Sequence, residues 1–126
     1  MDNIELLAIA DAWIEYHHAG ELADEHNKNF WAYEKLSELT RNDPEIAWKL
    51  IIMIFQRDPC EAILANLAAG PLEDMLGEHG ANFIQRIEDL AHEDVLFRKM
   101  LGCIWKNQIS DSVWMRLKAL NGEVQG

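Results

Sequence analysis

Glu73, Asp74, Glu78 and His79 fall within one short stretch of the chain, beside Gly70-Pro71, Gly77 and Gly80. Carboxylates and an imidazole near breaks in the backbone can move protons or hold a cation. The same four residues also have a purely structural reading. Glu73 and Asp74 fall in the first turn after Pro71, where a helix dipole favours negative charge, and His79 falls near a helix end, where a donor is favoured. The structural reading is preferred, with a small enzyme or metal-dependent regulator centred on Glu73, Asp74 and His79 as the alternative.

A second group, His17, His18, Glu21, Asp24, Glu25 and His26, is the richest run of metal-ligand types. Metal ligands must converge from fixed positions. Gly20 is expected to end the helix between His17 and Glu21, so a solvated acidic turn is the default and no metal ligand is assigned. Cys60 and Cys103 belong to no CxxC or Cys/His spacing and read as two reduced thiols. Phosphate-binding loops, dinucleotide fingerprints, nucleophile elbows, zinc-protease helices and EF-hand loops are all absent from the sequence. No catalytic residue and no cofactor is therefore expected.

Charge is the first clue to partners. The formal net charge of −11 opposes binding to nucleic acid or to anionic membranes, so a charged partner should be a basic protein. Residues 1–27 hold Asp2, Glu5, Asp11, Glu15, Glu21, Asp24 and Glu25 without one Lys or Arg, whereas Arg98, Lys99, Lys106, Arg116 and Lys118 outnumber the acids after position 95. Trp13 and Trp31, next to the acidic segment, are expected to be partly exposed, and Trp48, Trp105 and Trp114 to be core. The expected partner-binding set is Glu15, Glu21, Asp24, Glu25, Glu34 and Glu38 with Trp13 and Trp31 as aromatic anchors, since interfaces combine such anchors with a charged rim. An acidic helical interaction module is the expected function. Its most concrete version is an immunity protein that neutralises a basic toxin, a job that small size, helical build and high negative charge suit.

Apolar residues make up 49% of the chain and recur at three- and four-residue spacing, with no sustained alternation. This predicts an all-α, irregular bundle of about seven or eight helices with some helical-hairpin-repeat character. Without a Gly/Ser/Pro-rich tract, residues 1–126 are expected to form a single domain. Asn3 is the expected first cap and Gly20 the first stop. A second helix is expected over 24–40, burying Phe30, Trp31, Leu36 and Leu39. Asp43-Pro44 and Asp58-Pro59 each supply a capping acid and a first-turn proline. The helix after Asp43-Pro44 is apolar on nearly every side and is expected at the centre; the one after Asp58-Pro59 is expected to close at Gly70. Gly77 and Gly80 are expected in left-handed conformations that break the chain before a helix over 81–91. Helices over 94–105 and from Ser110 or Asp111 onward follow, and 122–126 should fray. No run reaches the roughly 18 residues that span a bilayer. The acid-rich N-terminus lacks signal-peptide character, so a cytoplasmic location is expected.

The run Leu67-Ala68-Ala69-Gly70-Pro71-Leu72-Glu73-Asp74-Met75-Leu76, with His79-Gly80, Phe83-Ile84 and Ile87-Glu88 after it, resembles the signature of a small bacterial family catalogued as domain of unknown function 6869. Phe97-Arg98, Leu101-Gly102, Ile104-Trp105 and Val113-Trp114-Met115-Arg116 are similar to the rest of that pattern, and the likeness covers roughly residues 44–118. One departure is Asp94-Val95, where the family tends to show Asp-Pro. The resemblance implies a helical bacterial protein and supplies no catalytic residues.

Overall fold

Asp2 opens the first helix: its side chain accepts from the Glu5 N–H at 2.8 Å, so the cap is Asp2 and Asn3 is already helical. The computed structural model describes residues 1–20, 23 and 28–120, and among these every regular element is a helix. Helix α1 is Asn3–His18, α2 is Phe30–Asn42, α3 is Pro44–Arg57 and α4 is Glu61–Leu67. A π-helical turn, Ala68–Leu72, leads into α5, Glu73–Glu93; α6 is Val95–Met100, extended by a 3-10 turn Leu101–Cys103, and α7 is Asp111–Leu120. The chain divides into two compact units, Met1–Leu67 and Ala68–Gly126. The expected helix start near Asp24 and the expected fraying of 122–126 lie outside the described residues.

In the first unit α1, α2 and α3 pack on one another, with α4 against α1 and α3. Asp43 and Pro44 start α3 as the sequence predicts, the Asp43 side chain accepting from the Ile46 N–H at 3.5 Å. Ala47, Leu50, Ile51, Ile54 and Phe55 bury one face of α3. The expectation of a helix covered on all sides is corrected by Ile46, Trp48, Ile52 and Met53, which are only half-buried. Trp48, Ile52 and Met53 join Asn3, Leu6, Lys49 and Gln56 around an open groove of about 310 Å³. Asp58-Pro59 does not begin α4 directly. The helix starts two residues after Pro59, with the Leu64 N–H bonded to the Cys60 carbonyl at 3.0 Å, and the Asp58 carboxylate turns to another partner.

In the second unit α5 packs against α6, α7 and the π turn. Gly70-Pro71 makes no stop. Pro71 has no N–H to give an α-helical ladder, and the chain passes it in a wider turn before running on into α5. Gly77 and Gly80 are not left-handed, but the expected break falls between them: α5 runs as two helical stretches joined across a kink at His79, where φ is −134° and ψ is 26°. Gly80 is small because α7 passes close by, and a Cβ there would lie 3.2 and 3.3 Å from the two Val113 methyl carbons. Phe83, Ile84 and Ile87 are buried as expected, while Leu90 is half-buried. Asp94 caps α6 through the Phe97 N–H at 3.0 Å, so the start survives without the proline. Ser110 caps α7, its carbonyl accepting from the Trp114 N–H at 2.9 Å.

Candidate functional site

The face expected to bind a partner begins at α1 and α2. Glu15 is exposed near the end of α1 and accepts from Asn29 Nδ2 at 3.3 Å, which ties it to the start of α2. Glu34 and Glu38 stand exposed one turn apart on α2, with Lys35 Nζ 3.4 Å from Glu38. Trp31 is 48% exposed, and Phe30 and Tyr33 beside it are 41% and 43% exposed. Phe30 and Tyr33 stack with centroids 5.6 Å apart, and both rings approach Tyr16 of α1, which is buried. The buried side of α2 is Ala32, Leu36, Leu39 and Thr40, so Leu36 and Leu39 are buried and Trp31 partly exposed as expected, while the burial that the helix pattern gives Phe30 and Trp31 is corrected.

One member of the expected set, Trp13, departs from expectation. Trp13 is 1% exposed and packs against His17 with ring centroids 4.1 Å apart, so it belongs to the core and cannot anchor a partner. Glu21, Asp24 and Glu25, with His26, lie outside the described residues. Outside this face, Trp105, expected in the core, is 73% exposed, and Val95 of the same expected stripe is exposed as well. Phe97, Met100, Leu101 and Ile104 form the buried stripe there.

A convergence that the sequence did not reveal lies elsewhere in the first unit. His18, the last residue of α1, places Nε2 2.7 Å from Asp58 Oδ2, and Cys60 Sγ lies 3.9 Å from the same nitrogen. The Cys60 N–H donates to the other carboxylate oxygen, Asp58 Oδ1, at 3.4 Å. The hydrogen bond from His18 holds the Asp58 carboxyl below the usual carboxylate range, with the Cys60 contacts adding to it and partial desolvation opposing it. Spacings of 40 and 42 residues carry no ligand signature; only the position of both helix ends, fixed by α1 packing on α3 and α4, brings these groups together.

Glu73, Asp74 and His79 form no such group. The half-buried Glu73 accepts the Trp105 N–H at 2.9 Å and the Asn107 side-chain amide, and so holds a turn in which Asn107 takes a left-handed φ of 38°. Asn tolerates that conformation better than most residues. Asp74 and Glu78 are exposed, and His79 marks the kink of α5. Among the described residues, His18, Asp58 and Cys60 are the one group of three such side chains whose donor atoms come within 4.8 Å of one another.

Together these features describe a small all-α protein whose His18, Asp58 and Cys60 converge in the first unit. The chain belongs to a family of unknown function, DUF6869, whose model matches residues 19–124. That span is wider than the signature read from the sequence and takes in α2. No curated protein and no solved structure matches the chain.

Proposed function

We propose that the chain is an acidic protein-interaction module that docks a basic protein partner through the face built by α1 and α2. The observation that carries this reading is the exposure of Phe30, Trp31 and Tyr33 beside Glu15, Glu34 and Glu38. Aromatic rings with little side-chain entropy to lose make interface anchors, and surrounding charge steers a partner of opposite sign. The net charge of −11 supports a basic partner and opposes phosphate backbones. The most concrete form of the proposal is an immunity protein that covers a basic toxin in the cytoplasm; the two free cysteines suit a reducing compartment.

The test is to recover from the source cell the basic protein that copurifies with the chain, then to measure its affinity for wild type, for Trp31→Ala and for the triple variant Glu15→Lys, Glu34→Lys, Glu38→Lys. A loss of at least about tenfold for each variant, with an association rate that falls as salt rises, is the expected result. For the immunity reading, coexpression should relieve growth arrest by that partner, and the triple variant should not. Affinity that ignores both changes, or an acidic partner, overturns the proposal.

A further inference from the structure

We propose that His18, Asp58 and Cys60 form a binding site for a zinc-class divalent cation. The proposal is independent of the docking reading. It rests on three donor atoms of different elements meeting at one place: His18 Nε2, Asp58 Oδ2 and Cys60 Sγ, all within 4.8 Å of one another.

Size is the first argument. A tetrahedral zinc ion with bonds of about 2.0 to 2.3 Å separates neighbouring nitrogen, oxygen and sulfur ligands by about 3.3 to 3.6 Å. Here the nitrogen-to-sulfur edge is 3.9 Å and the nitrogen-to-oxygen edge, bridged by a proton, is 2.7 Å. The first edge is about 0.3 Å longer and the second about 0.6 Å shorter than ligand spacing, and the oxygen-to-sulfur edge lies within 4.8 Å. The His18 and Asp58 side chains are 46% and 30% accessible, so the cluster is open to an ion from solvent.

Donor type is the second argument. A mixed nitrogen, oxygen and sulfur set suits zinc, and cobalt as its stand-in, over magnesium or calcium, which require oxygen shells. The carboxylate is already oriented, because the Cys60 N–H holds Oδ1 and leaves Oδ2 toward the ring. Metal entry displaces the Cys60 thiol proton and the proton between His18 and Asp58 to solvent.

Connectivity is the third argument, and it separates a cation site from nucleophilic catalysis. A cysteine activated through histidine and aspartate needs the carboxylate on one ring nitrogen and the sulfur on the other. In this cluster both contacts fall on Nε2. One nitrogen cannot donate to Asp58 and accept from Cys60 at once, so the arrangement is a convergence on a point.

The test is titration of the full chain, stripped with chelator, with zinc chloride by calorimetry and with cobalt chloride by absorption. One ion per chain and a thiolate-to-cobalt charge-transfer band are expected. The band should vanish in Cys60→Ser, persist in Cys103→Ser, and need at least about tenfold more cobalt in His18→Gln and Asp58→Asn, with helical circular dichroism unchanged. Excess magnesium should not displace the ion. Absence of the band from wild-type protein overturns the proposal without recourse to any variant. So does zinc binding that the Cys60→Ser, His18→Gln double variant retains at full affinity, which would mark loose association with the acidic surface.

Discussion

Both units use carboxylates to tie segments together, as Asp11 does with Arg57 and Glu15 with Asn29 in the first, but they differ in the groups left outside such ties. In Ala68–Gly126, carboxylates tie one segment to another: Glu73 holds the turn at Trp105 and Asn107, and Glu88 of α5 pairs with Arg116 of α7, whose Nε lies 2.9 Å from Oε2. In Met1–Leu67, Glu34, Glu38 and the rings of Phe30, Trp31 and Tyr33 are turned to solvent, while His18, Asp58 and Cys60 converge at the ends of helices. A polar group already committed to holding a turn is a poor candidate for recognition. The charge pattern therefore points to candidate recognition groups only after the structural carboxylates have been set aside.

The largest effect should come from the close approach of α5 and α7. Gly80→Ala places a methyl 3.2 Å from buried Val113, whose two branches both face it, and should destabilise the protein by about 1 to 3 kcal/mol in thermal or urea unfolding. Gly77→Ala, with only an ordinary 3.7 Å contact to Gln108, should instead stabilise by up to about 1 kcal/mol through helix propensity. Equal responses at the two glycines would remove the packing account of the second unit.

Next in size, Glu73→Ala should cost about 1 to 2 kcal/mol, because it leaves the turn at 105–107 without its acceptor. Glu34→Ala in the first unit should stay within about 0.5 kcal/mol of wild type. If denaturant midpoints move equally for both, the contrast between the units fails.

The smallest effect is in acid. Arg116 holds the Glu88 carboxyl below its ordinary value by direct hydrogen bonds, aided by its charge and opposed by partial desolvation. A depressed folded pKa gives stability that is present above the unfolded value, about pH 4.3, and is lost as pH falls through the folded value. Arg116→Met should thus lower the thermal midpoint by a few degrees at pH 7, and the gap to wild type should close toward pH 3. A gap that is constant with pH would show that Arg116 acts through packing alone.

Helix class, the Asp43-Pro44 start and the main buried stripes were legible because each rests on local chemistry: a cap, a fixed φ or a three-to-four spacing. Glycine was misread where its role is tertiary. Nothing near Gly80 in the chain shows that α7 will pass over it, so the residue reads as a breaker. Trp13 and Trp105 exchanged their expected environments for a related reason. Acidic neighbours along the chain say little about which side of a helix a ring occupies, and α6 ends at Met100, so the stripe continued to Trp105 has no helix to lie on. The site was half legible: Glu15, Glu34 and Glu38 are exposed as expected, whereas His18, Asp58 and Cys60 meet only through the packing of three helices.

The turn at Ala68–Leu72 constrains how this chain can change length. Each residue of a helix advances the azimuth by about 100°, so deletion of a single residue there would turn the buried Ala68, Pro71 and Leu72 out of register with α5 and with the 3-10 turn Leu101–Cys103 that they pack on. Substitution is far milder at the same place, since a side chain added at Gly70 meets nothing within 4 Å. Homologous sequences should therefore vary in residue type at position 70 yet keep the number of residues between Leu67 and Glu73 fixed, so that an alignment gap in this stretch would be rarer than one in the turns between helices.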